Sequence, residues 1–412
     1  MISFKKLFIG VLIYCCGSIA VAATLENIII DKGKDAGLPI HIELFAEFDH
    51  NFTAILRNDL FNSGQFLAVA PAQALYHITG KLQRNNNRYD IVVTLRDNKV
   101  KDATPLLQLE FIAIATQDLR MMAHKISNAI FKKLIGQPGI FTSSIAYIAK
   151  TTNSQGVMQY NLQIAEYDGF ATQKLLQAST PLMSPAWSPD GTRIAYVAYV
   201  DNRAAIHVVT VASGKVELLL QYPGINGSPA WSPDGTQLAV VLSKDGSPSI
   251  YIVDLATKDL HRVSHGASID TEPFWWPQSN SIGFTSNRGG SPQLYALNLT
   301  SKLVTRVTES GTYNVRGSIT PDGKKLIFLH KTERGYFNIA VKDLLSNTVN
   351  IISAGELDDA PSLSPNGMMV LYSVVDQGRT FVVAGTIDGR VKFKLPIRFI
   401  AVQQPVWSPV LP

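Results

Sequence analysis

The sequence predicts a mainly β protein: a C-terminal six-bladed β-propeller of four-stranded blades, its ring closed by the C-terminal strand, preceded by a small α+β domain. Three observations predict it. A strand motif recurs every 44 residues, at Trp187, Trp231, Trp275, Ile319, Leu363 and Trp407. Each repeat holds turn signals for four short strands, and one such sheet cannot bury both faces without stacked neighbours. The strand series is also staggered, so that the last strand of the chain is needed by the first blade.

Residues 1–22 read as a secretory signal peptide. Lys5 and Lys6 precede an apolar stretch from Leu7 to Cys16, and small residues end at Ala20-Val21-Ala22. The stretch is shorter than the roughly 20 residues of a membrane span. Removal of this segment takes the formal charge from +5 to +3 and removes both cysteines, Cys15 and Cys16. Disulfides, thiolate metal sites and a cysteine nucleophile are thereby excluded from the exported chain. So small a charge gives no electrostatic case for nucleic acid or an anionic membrane. With 46 % hydrophobic and 17 % charged residues, a packed core is expected.

Residues 23–138 are expected to form the α+β domain. Strands are predicted over 25–30, 39–45, 66–70, 76–82, 89–95 and 106–115. A helix over 51–62, capped by Asp49, carries Phe52, Ile55, Leu56 and Leu60 on one face. A second helix runs from a Thr116 cap to Leu134, with Leu119, Met122, Ala123, Ile126 and Ile130 aligned. Gly136 and Pro138 end it, and Gln137-Pro138-Gly139 is the hinge.

The propeller spans 139–412. Ser188-Pro189-Asp190-Gly191, Ser232-Pro233-Asp234-Gly235, Thr320-Pro321-Asp322-Gly323 and Ser364-Pro365-Asn366-Gly367 each join two strands, with Pro presetting one turn residue and Gly accepting positive φ. Second strands begin near Ser144, Arg193, Gln237, Ser281, Lys325 and Met369. The unit at Ser144 lacks a first strand, which Gln404–Ser408 supplies, removing exposed edges.

No H-E-x-x-H, G-x-S-x-G or P-loop pattern is present. The repeated Asp residues read as turn formers, the tryptophans as core between blades, and His261 and His265 fall where they share no helical face. No enzyme activity, cofactor or metal is expected. Loops entering the first strands and leaving the second strands share one face of the ring. That face gathers Asn226, Ser228, Asp270, Thr271, Glu272, Arg288, Arg316, Asp358 and Asp359, a mixture of charges suited to a protein partner.

The chain resembles the TolB family of the Tol–Pal system over essentially its whole exported length. The resemblance rests on Ile30-Asp31-Lys32-Gly33-Lys34-Asp35-Ala36-Gly37-Leu38-Pro39-Ile40, Leu60-Phe61-Asn62-Ser63-Gly64-Gln65-Phe66, Asp270-Thr271-Glu272-Pro273 and the terminal Pro405-Val406-Trp407-Ser408-Pro409. Ile319, without Pro or Trp, and Trp275-Trp276 depart from the repeat. The resemblance implies a monomeric periplasmic scaffold that maintains the outer membrane and supports its invagination at division. It implies that the lipoprotein Pal binds the propeller face collected above. It further implies that TolA binds the exported N-terminus, Ala23, Thr24, Leu25, Glu26, Asn27 and Ile28. The competing reading is a propeller that binds a small ligand or ion, or hydrolyses a substrate, at its central channel. A peptidase would need a hydrolase domain, and none is expected beyond Pro412.

Overall fold

In the N-terminal domain, alternation of apolar residues builds one sheet with one buried face. Its strand order is Phe66–Ala68, Leu38–Ile42, Tyr76–Asn85, Arg88–Asp97, Leu107–Ala115. The first two pairings are parallel and the last two antiparallel. Ile40, Ile42, Ile78, Ile91, Val93 and Leu95 point to two helices, α1 (Phe52–Asn62) and α2 (Leu119–Ile135), which return Leu56, Leu60, Ala123, Ile126 and Ile130. The computed structural model describes residues 28–30, 37–45, 51–100 and 104–410.

The helix starts differ from expectation. Asn51, in the left-handed region at φ 69°, occupies the N-cap position of α1; Asp49 lies outside the described residues. Thr116 opens a 3-10 turn through Asp118, and α2 begins at Leu119. The Thr116 hydroxyl donates to the Asn87 carbonyl of the neighbouring hairpin, so it is turned away from the helix it was expected to cap. Gly136, at φ 81°, ends α2 as its sequence demands.

Six four-stranded sheets follow, with second strands starting at Ser144, Arg193, Gln237, Ser281, Lys325 and Met369. The strand Ala401–Trp407 pairs with Ser144–Thr152 and completes the first blade. The Ser408 N–H donates to the Ser144 carbonyl at 2.8 Å, and the Trp407 indole donates to Ser143 Oγ at 2.7 Å. Between blades, the indoles of Trp231 and Trp275 donate to the carbonyls of Ala186 and Ala230 in the preceding blades, at 3.0 and 2.9 Å. These two tryptophans thus combine apolar packing with one directed bond across a blade junction. The turn aspartates act as formers: Asp234 accepts from Ser232 Oγ at 2.5 Å and from the Thr236 N–H at 3.1 Å. Those bonds hold its carboxyl below the usual range.

Ile28–Ile30 was expected among the strands of the α+β domain. It instead runs antiparallel to Val391–Lys394 as a fifth strand on the sixth blade, Ile28 opposite Phe393 and Ile30 opposite Val391. Leu38–Ile42 is already paired on both sides, whereas Val391–Lys394 presents an open blade edge. The two domains share one apolar cluster that includes Phe131 of α2, Phe141 and Tyr167 of the first blade region, and Phe393, Leu395 and Ile397. Gly64 sits against the sixth blade at φ 70°, where a Cβ would lie 2.7 Å from Thr386 Cγ2. Its motif therefore serves the close approach of the domains.

Candidate partner face at the channel mouth

Every inner strand contains a bulge at the same place. The register slips by one residue, and Ser184, Ser228, Glu272, Arg316, Ala360 and Gln404 take positive φ of 45–56°. A bulge bends a strand and re-aims its side chains. These six residues, with Pro185, Pro229, Pro273, Pro361 and Pro405, line a channel cavity of about 220 Å³. The ring is partly tied to itself: the Ser184 N–H donates to Gln404 Oε1 at 2.7 Å and the Arg316 N–H to Glu272 Oε2 at 3.0 Å.

The nine residues gathered from sequence for this face separate into two groups. Asn226, Asp270 and Asp358 are buried, each about 1 % exposed, as is Asn314, the equivalent residue of the fifth blade. Their side chains hold neighbouring loops, the preceding ones for Asn226 and Asp358 and chiefly the one after Ser286 for Asp270. Asn226 Oδ1 accepts from the Tyr222 N–H at 2.9 Å and its amide donates back to the Tyr222 carbonyl at 2.7 Å. Asp270 accepts both Arg288 Nη2 bonds, at 3.0 and 2.9 Å, and the Ser286 hydroxyl at 2.6 Å. Asp358 Oδ2 accepts from Ser353, from Asn338 and from the Gly355 N–H, and burial pushes its carboxyl up. These three are loop anchors and offer no surface to a partner; Arg288 is the clamp on Asp270.

Ser228, Thr271, Glu272, Arg316 and Asp359 remain at the surface, half-buried. Arg316 stands between two blades' carboxylates, with Nε 3.2 Å from Glu272 Oε1 and Nη1 3.2 Å from Asp359 Oδ1. Thr285 Oγ1 donates to Glu272 at 2.8 Å and fixes that carboxylate. Beside this triad a cavity of about 370 Å³ is lined by Tyr313, Val315, Phe337, Leu357 and Val375.

Sequence reasoning missed the apolar part of the face. One residue before each buried anchor stand Ile225, Ile269, Tyr313 and Leu357, again 44 apart. Ile225, Ile269 and Leu357 are 48, 50 and 53 % exposed. The usual order is inverted, with the polar residue inside and the apolar one outside. The readable signal was an apolar–polar pair, Ile-Asn, Ile-Asp, Tyr-Asn and Leu-Asp, repeated at the blade period. Ala23 to Asn27 lie outside the described residues, and Ile28 lies in the fifth strand of the sixth blade.

Such an arrangement defines a six-bladed propeller protein with an α+β domain packed on its blades and an apolar arc around a charged channel mouth. Residues 131–411 match the model of the TolB beta propeller domain. The Tol-Pal system protein TolB of Coxiella burnetii is 47 % identical over 93 % of this chain and 93 % of its own. The Pseudomonas aeruginosa protein of that name is 44 % identical, over 95 % of this chain and 96 % of its own. The crystal structure of TolB from Acinetobacter baumannii, 32 % identical, covers 93 % of this chain and 99 % of its own with a TM-score of 0.83. The chain belongs to the TolB family of the Tol–Pal system.

Proposed function

We propose that this chain is a periplasmic, non-enzymatic scaffold of the Tol–Pal system, with Pal bound at the channel mouth and TolA at residues 23–28. In this role it maintains the outer membrane and supports its invagination during division. The observation that carries the reading is the arc of exposed Ile225, Ile269 and Leu357 with half-buried Tyr313, around Glu272, Arg316 and Asp359. Protein interfaces combine an apolar centre with Arg and aromatic anchors, and contiguous exposed apolar residues mark such a surface. Arg316 is half satisfied by its own carboxylates, so a partner's acidic or carbonyl groups find it oriented but accessible. The apolar arc leaves this mouth better suited to a folded protein than to a small polar ligand.

Calorimetric titration of residues 23–412 with soluble Pal from the same organism tests the reading. Ile269→Arg with Leu357→Arg is expected to abolish binding while the melting temperature stays unchanged, because both side chains stand in solvent. Full-affinity binding by that double variant removes Pal from this face. A chain lacking residues 23–27 is expected to bind Pal normally and to lose TolA.

A further inference from the structure

The boundary between the two domains holds a buried charged cluster that the partner reading does not use. Asp59 of α1 and Arg120 and His124 of α2 come from the N-terminal domain. Glu166, Tyr167 and Asp168 come from the end of the first-blade strand Met158–Glu166 and the turn that follows it. His124 is fully buried and Asp59 is 1 % exposed. His124 Nδ1 lies 2.8 Å from Asp59 Oδ2, and the Tyr167 hydroxyl donates to the other Asp59 oxygen. Arg120 donates through Nε to Glu166 and through Nη2 to Asp168. His124 Nε2, which has no hydrogen-bond partner, points at the same two carboxylates from 3.7 and 3.9 Å.

The tautomer follows from this geometry. If Nδ1 donates to Asp59, a neutral ring leaves a lone pair on Nε2 facing two carboxylate oxygens in a dry interior. A ring protonated at both nitrogens faces all three carboxylates with N–H groups. The three donors His124, Glu166 and Asp168 lie within 4.8 Å of one another, as ligands of one metal ion would. Arg120, however, already occupies the carboxylate oxygens such an ion would need. The cations of this site are the protein's own.

We propose that Asp59, Arg120, His124, Glu166 and Asp168 form an ionic latch across the domain boundary, closed while His124 is an imidazolium and loosened when it loses its proton. Arg120 and His124, one helical turn apart on α2, are cations that join the first blade to the small domain. Tyr167 closes the loop back to Asp59. Despite the opposing cost of burial, Asp59, Glu166 and Asp168 raise the His124 pKa from 6.5 to about 10. A raised pKa gives stabilisation that is complete below pH 6.5 and is lost as pH climbs through about 10.

The test is thermal unfolding of residues 23–412 between pH 6 and 10, together with hydrogen exchange at residues 166–170. The melting temperature of the natural chain is expected to fall across this range beyond the fall shown by His124→Gln. His124→Gln is expected to melt lower at pH 6 and to exchange faster at 166–170, with the strand Gln237–Leu242 of the third blade still protected. Should His124→Gln not fold, Asp168→Asn serves, because removing one facing carboxylate shifts the fall to lower pH. Parallel pH profiles for natural chain and variants overturn the latch. So does a zinc-dependent rise in melting temperature that His124→Gln abolishes, which would make the cluster a metal site.

Discussion

The molecule carries two clusters of nearly the same composition, an arginine among carboxylates, with opposite consequences. At the domain boundary the side chains of His124, Asp59 and Asp168 are 0, 1 and 11 % exposed. At the channel mouth those of Glu272, Arg316 and Asp359 are 25, 32 and 46 % exposed. Removing one member of a buried set strands the others without water, whereas a half-exposed set is rehydrated when one is lost. Burial, rather than the list of charges, separates a structural cluster from one that a partner can reach.

The largest expected effect is that of Asp59→Ala. It leaves the His124 Nδ1–H and the Tyr167 hydroxyl buried without their acceptor. A loss of about 3–5 kcal/mol is expected in denaturant unfolding; a loss below about 1 kcal/mol would show that water or a rearranged carboxylate replaces it. Asp270→Ala comes next. It takes the acceptor from Ser286 and from both Arg288 bonds at a buried site whose arginine is 24 % exposed. About 1–3 kcal/mol is expected, with faster hydrogen exchange confined to residues 286–290 and the start of the strand Asp270–Trp275. An unchanged stability would show that Asp270 does not anchor its loop.

Sequence legibility follows the same division. The repeat fixed blade number and closure because the S-P-D-G turn acts on neighbours within five positions, as Ser232, Asp234 and Gln237 do, and because the longer reach of the P-x-W tryptophans, from Trp231 to Ala186 and from Trp275 to Ala230, recurs at the blade period. The boundary cluster was invisible because His124 meets Asp59 across 65 residues and Arg120 meets Glu166 across 46, with no period to announce either contact. At the channel mouth the loops were legible, but which of their residues stand in solvent was not. Asn226, Asp270 and Asp358 look solvated in a loop, and only the bulged strand shows that they turn inward while Ile225, Ile269 and Leu357 turn out. Ile28–Ile30 reads as a strand by composition, yet composition cannot say which of two sheets has an open edge.

The smallest expected effect on stability is also the one that isolates partner binding. Arg316→Ala removes both ion pairs of the mouth, but the backbone N–H of residue 316 still reaches Glu272 Oε2. The positive φ of this position does not require arginine, since Ala360 holds the same bulge conformation in the next blade at φ 53° against 56°. Stability is therefore expected to change by less than about 1 kcal/mol. Affinity for Pal is expected to fall by about tenfold or more, equivalent to at least about 1.4 kcal/mol, as for an arginine near the centre of an interface. A melting temperature depressed as far as in Asp59→Ala would make the mouth a structural cluster too, and the contrast between the two regions would collapse. Undiminished Pal affinity in a stable Arg316→Ala chain would leave the apolar arc to carry recognition by itself.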